Sequence, residues 1–289
     1  MTVVVAAKVY EGLVVGADSI TSGVFFSPNT AGQQVLTAQT YDNVNKVVNL
    51  FKGLPIGLAT WGDGSIGTVS IATLAKDLRL ILTDGSSSVA KINRKGYSIE
   101  SVAKSAKEFF WGKFKAAYPN LSNAPVGPIG FLIFGLSSGA DHAEAWLFEI
   151  RNGAATAPAS EFSKAEDGIK AFGQSETTSR IIAGFDEKGL KNFLVAKKSF
   201  KPNDADALIL DLKQSIGWKL HHPSMPIQDV VDLTKSLVQI TSDCSRFRYG
   251  PQTVGGPIDL AVVTKHEGFK WIQRKFYYDS HLNPEEQRK

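Results

Sequence analysis

Apolar residues crowd positions 3–9 and 13–17, and Glu11-Gly12 stands between the two runs. Val-rich runs around such a turn signal predict a β-hairpin. Residues 45–51 and 54–61, joined by Lys52-Gly53, predict another. Between these pairs, residues 24–41 keep no steady period. Pro28, Asn29 and Gly32 interrupt them, and an irregular segment is expected. Strands are also expected at 128–136 and 144–150, at 168–172, and at 257–264 and 269–274.

Elsewhere the period changes to that of a helix. Ile66, Val69, Leu74, Leu78 and Ile81 give residues 65–81 one apolar face; Ile99, Val102, Ala103, Ala106, Phe110 and Phe114 do the same for 98–116. Residues 186–225 read as an added helical piece, with Asn203 as a cap over Leu208, Leu212 and Ile216. Pro226 suits the first position of a further amphipathic helix reaching Thr241. Residues 242–256 are expected as a loop, and the tail from about 279 to 289 is polar. Hairpins, two helices, a hairpin, more helices and a last hairpin suit an α+β fold, a sandwich of two antiparallel sheets between helix layers. No linker divides it, so one domain over residues 1–289 is expected.

Composition removes several classes. The 32 basic and 28 acidic residues are interspersed and leave a net charge of +4, with no cationic stripe for nucleic acid. No run approaches a membrane span, and no basic-then-apolar leader opens the chain. The lone Cys244 cannot form an intrachain disulfide, which fits a cytoplasmic protein. The five His are scattered without metal-ligand spacing, so no metal is expected. Residues 62–67 match G-x-G-x-x-G, but no buried strand ending in an acid follows the next helix. They are read as a turn entering a helix, and no cofactor is called for.

The candidate chemistry lies at the start. Met before a small second residue is commonly removed, which would give Thr2 a free α-amine with a pKa of about 7.7–8.0. An amine partly neutral near pH 7 can serve as base to the adjacent hydroxyl. Asp18 closes the second strand of that hairpin and Lys46 opens the third.

Thr2, Gly16-Ala17-Asp18-Ser19, Asn45-Lys46-Val47 and the run from Gly255 to Val263 together resemble a proteasome β-type subunit and its bacterial homologues among the N-terminal nucleophile hydrolases. The likeness covers nearly the whole chain, with 24–40 and about 186–225 as extra segments. It implies the four-layer αββα sandwich of that family. It also implies Thr2 as nucleophile, Lys46 as the cation favouring its alkoxide, and Asp18 as the acid holding Lys46. An ordinary ion pair in a hairpin is the plain alternative for the last two. A family Ser near the nucleophile falls on Ser175, with Gln174 as the other choice; a helix N-cap is the plain alternative. The family's loop Asp has no aligned match, and Asp243 or Ser245 is left to replace it. The backbone oxyanion donor falls on Thr60 or Gly62, while Thr21 and Ser22 match the edge that pairs with a substrate peptide. The resemblance implies a threonine peptidase acting on peptides or unfolded polypeptide inside stacked homo-oligomeric rings, with a ring ATPase as a further partner. A small-molecule amidase of the same fold and a silent ring-forming scaffold are the other readings.

Overall fold

A computed structural model describes residues 2–28, 34–85 and 91–275; residues 22–28, 34–38 and 123 are described by backbone alone. Strands β1 (Val3–Lys8) and β2 (Gly12–Ala17) form the first hairpin, in which Val4 faces Ala17 and Lys8 faces Leu13. β3 (Thr21–Pro28) and β4 (Gln34–Tyr41) form a separate two-stranded ribbon. This corrects the irregular segment expected at 24–41 for residues 24–28 and 34–41; residues 29–33, Asn29 and Gly32 among them, lie outside the described residues. Pro28 ends β3 rather than breaking it, and the Val-, Phe- and Thr-rich flanks have strand preference. β5 (Val47–Asn49) and β6 (Ile56–Gly62) follow as expected.

The first helix starts later than its apolar pattern suggested. Residues 65–70 form a small hairpin, β7 (Ser65–Ile66) with β8 (Val69–Ser70), turning at Gly67, whose φ is +59°. Ser70 then caps α1 (Ile71–Asp84) by accepting from the Thr73 N–H. α2 (Ile99–Ala117) begins at Ser98, which forms a capping box with Ser101.

Next come β9 (Ile129–Gly135), β10 (Glu144–Arg151), the short β11 (Ala154–Ala155) and β12 (Ala159–Phe162), and β13 (Gly168–Gly173). The helical piece is α3 (Glu176–Ala183), α4 (Glu187–Lys198) and α5 (Pro202–Ile216). Lys201, not Asn203, occupies the cap of α5, because Pro202 takes the first turn. α6 (Ile227–Phe247) runs through residues expected as loop, and Pro226 caps it from just outside. β14 (Asp259–Thr264) and β15 (Gly268–Gln273) complete the order.

Two antiparallel sheets result: β13-β1-β2-β14-β15, and β11-β10-β9-β6-β5 with β12 beside β10. They stack between helices in the four-layer αββα order. One core lies between α1, α2 and the second sheet, where Phe110, Phe131 and Phe148 stack at 4.2 and 4.8 Å. A second lies between the sheets, and a third between the first sheet and α3 and α6. β1 explains why its sequence is apolar throughout. Val4 and Ala6 face the other sheet, while Val3, Val5 and Ala7 face the helices, so both sides are covered. α4 and α5 share a small core of their own around Leu194, Ala205 and Ile209. Among the described residues no helix is long and apolar enough to cross a membrane.

Candidate active site

The candidate residues meet at one end of the sandwich, where the first sheet opens onto the second. Thr2 precedes β1 and is buried. Its carbonyl accepts from the Gln174 N–H at 2.7 Å, just past β13. Strand alternation puts its side chain on the face of Val4 and Ala6, towards the other sheet. Gly173 is needed there: its φ is +74°, and a Cβ would come within 2.1 Å of the Thr2 carbonyl oxygen.

Asp18 organises the place. One carboxylate oxygen accepts from the Val3 N–H at 3.1 Å and from Lys46 Nζ at 2.8 Å. The other accepts from the N–H groups of Ile20 and Gly255 at 3.2 and 3.0 Å. The Lys46 ammonium is thus one oxygen atom removed from the amide that follows Thr2. Lys46 Nζ also donates to the Ile20 carbonyl. Asp18 is 0% exposed and the Lys46 side chain 4%. Burial pushes the Lys46 ammonium down from 10.5 to about 8, against the pull of the neighbouring Asp18 carboxylate. A lysine poised there exchanges its proton near neutral pH, unlike a solvated one.

The choice between Thr60 and Gly62 narrows. The Thr60 N–H donates to the Lys46 carbonyl at 2.9 Å and its hydroxyl to the Gly130 carbonyl at 3.0 Å, so Thr60 is committed to the fold. Alternation aims the Gly62 N–H to the same edge of β6, beyond the start of β5. Gly62 has φ +90°, and a Cβ would meet the Pro128 carbonyl oxygen at 1.8 Å. Thr21 reaches the same place from β3: its hydroxyl lies 3.1 Å from where a Cβ of Gly64 would be. The Ser22 side chain lies outside the described residues.

Ser175 opens α3 without a capping bond and borders a cavity of about 270 Å³ whose walls include Phe172, Thr178 and Lys188. The neighbour of Thr2 is Gln174, whose side-chain oxygen accepts from the Thr253 hydroxyl at 2.8 Å. The pair Asp243 and Ser245 separates as well. Both lie on α6 rather than in a loop; Asp243 is exposed and accepts from Gln239. Ser245 is buried and its hydroxyl accepts from the N–H groups of Thr253 and Val254, each at 3.1 Å. It shapes the turn that delivers Gly255 to Asp18.

Ser19 and Asp259 stood in the motifs of the sequence without a role of their own, and Lys275 stood outside them. Ser19 follows Asp18, Asp259 faces Ala17 across β2 and β14, and Lys275 lies just beyond β15. An acid at the mouth of each of two neighbouring apolar strands was the clue in the sequence.

Neither a family model nor a curated protein matches this chain. Among solved structures it is similar to the Anbu (Gly-1) mutant from Hyphomicrobium sp. strain MC1. The identity is 15% and the TM-score 0.46, over 95% of this chain and 86% of that one.

Proposed function

We propose that this chain is an N-terminal threonine hydrolase that cleaves peptide bonds. The observation that carries the reading is the Asp18 carboxylate oxygen shared between the amide after Thr2 and the Lys46 ammonium. A buried acid so used fixes a cation beside the first residues of β1, where a nucleophile needs its charge stabilised.

Loss of Met1 frees the Thr2 amine. The Thr2 hydroxyl adds to the scissile carbonyl and its proton passes to that amine, directly or through a water. Lys46, as a cation, favours the alkoxide, and the Gly62 N–H is the donor offered to the oxyanion. Collapse breaks the C–N bond, and the leaving amine takes the proton from the α-ammonium. Water then adds to the resulting ester, the α-amine accepting its proton, and release of the acid restores Thr2. Main-chain pairing along Thr21 and Ser22 would select extended peptides by β-augmentation. The resemblance noted in the sequence adds self-association into stacked rings, with a ring ATPase feeding them; native mass spectrometry reads the first directly.

The test is covalent. A peptide vinyl sulfone should add to the wild-type chain at Thr2 once Met1 is lost, and to Thr2→Ala not at all. Retained Met1, or labelling that survives Thr2→Ala, would end the reading. Hydrolysis of peptides but not of small amides should accompany it.

A further inference from the structure

Behind the Asp18–Lys46 pair lies a second buried ion pair that the proposed reaction leaves unused. Asp259 is 1% exposed at the mouth of β14, and the Lys275 side chain is 6% exposed just past β15. Lys275 Nζ donates to one Asp259 oxygen, and the Lys275 N–H donates to the other at 3.2 Å. The same Nζ donates to the Ser19 hydroxyl at 2.6 Å, and that hydroxyl donates in turn to the Pro257 carbonyl. The Ser19 N–H donates to the Gly255 carbonyl at 2.8 Å, while the Gly255 N–H donates to Asp18. Lys275, Ser19, Gly255 and Asp18 therefore form one closed set of contacts, with Lys46 at its far end.

We infer that Asp259 and Lys275, linked through Ser19, are positioning residues: they hold Asp18 in orientation and set the charge carried by Lys46. Two neighbouring ion pairs, each all but sealed from solvent, cannot be independent, because solvent screens neither. Among the described residues the charged groups that act on Lys46 are Asp18 at the end of β2, Asp259 on β14 and Lys275 after β15. The Thr2 amine joins them once Met1 leaves. Lys275 pushes the Lys46 proton off and Asp259 holds it on, the push being the larger. Removing one partner of the second pair should therefore move Lys46 one way, and removing the other partner should move it the other way. A clamp that merely joined β15 to β14 would not do this.

The inference rests on the proposed chemistry for its purpose, not for its test. The full chain carrying ¹³C-labelled lysine is titrated by NMR, with Lys46 assigned by its loss in Lys46→Arg. In Lys275→Met the Lys46 midpoint should rise by at least about half a unit, and in Asp259→Asn it should fall by a similar amount. Lys275→Arg, which keeps the charge, should restore most of the wild-type midpoint. The alkaline limb of probe labelling at Thr2 should follow the midpoint in each variant. If a single variant does not fold, Asp259→Asn with Lys275→Met leaves no buried charge unpaired. Its Lys46 midpoint should rise, since the larger push is gone. Midpoints that stay put, or that move the same way in both single variants, overturn the inference. A wild-type chain that never labels at Thr2 but shows the opposed shifts would sink the hydrolase reading and leave this one standing.

Discussion

At the scale of single residues, Lys46 ties stability to pH, and its depressed ammonium sets the sign. Unfolded, a lysine titrates near 10.5; folded, Lys46 titrates at about 8. Between those values the unfolded chain holds the extra proton, so raising the pH favours the folded state. Below about 8 both states are protonated and the cost of burying the cation is felt in full. Urea unfolding at a series of pH values should show wild type gaining on Lys46→Met between pH 8 and 10.5. Burial depresses Lys8 as well, but that contribution is common to both proteins and cancels in the difference. Parallel curves would mean that Lys46 is not a buried cation. Gly62 makes a separate prediction. With φ at +90° and a carbonyl oxygen where its Cβ would sit, Gly62→Ala should lose about 1–3 kcal/mol and most of the probe labelling. Gly112→Ala is the control: that glycine is on α2 with open space around it, and alanine there should stabilise by up to about 1 kcal/mol.

At the scale of elements, stability is unevenly shared. α2 buries seven side chains, among them Phe109, Phe110 and Phe114, whereas α4 buries Leu194 alone and α5 buries Ala205 and Ile209. Amides of α4 and α5 should exchange with solvent well before those of α2 when followed by mass spectrometry. Equal protection would mean that the small cluster around Leu194 is as firmly held as the main core. The elements also show where the sequence could be read and where it could not. β1, β2, β9 and β14 were legible because both of their faces are covered, which leaves nearly unbroken apolar runs. α2 was legible because one of its faces alone is covered. The β3–β4 ribbon was not, because it pairs only with itself and Pro28, Asn29 and Gly32 interrupt the pattern along the sequence. The start of α1 was missed because Ile66 is buried like a helical residue while lying in a two-residue strand. In the candidate site, Thr2, Asp18 and Lys46 stood at strand ends and could be named. Gln174 and Ser245 could be named only as alternatives, because they act through a backbone carbonyl and two backbone amides, and such contacts do not single out one residue type.

At the scale of the whole molecule, the first and last described parts of the chain are laid side by side. β14 pairs with β2, and the Gly255 N–H reaches an acid 237 residues earlier. Asp259 and Lys275 extend that meeting to the final described residues. Contacts so remote along the chain must meet the entropy cost of closing a long loop, and folds rich in them form slowly. During synthesis, then, the ribosome would have to release the 237 residues that follow Asp18 up to Gly255 before the two could meet. A nascent chain short of Gly255 would carry Thr2 without its finished surroundings and, on the proposed chemistry, would be inert towards itself and its neighbours until then.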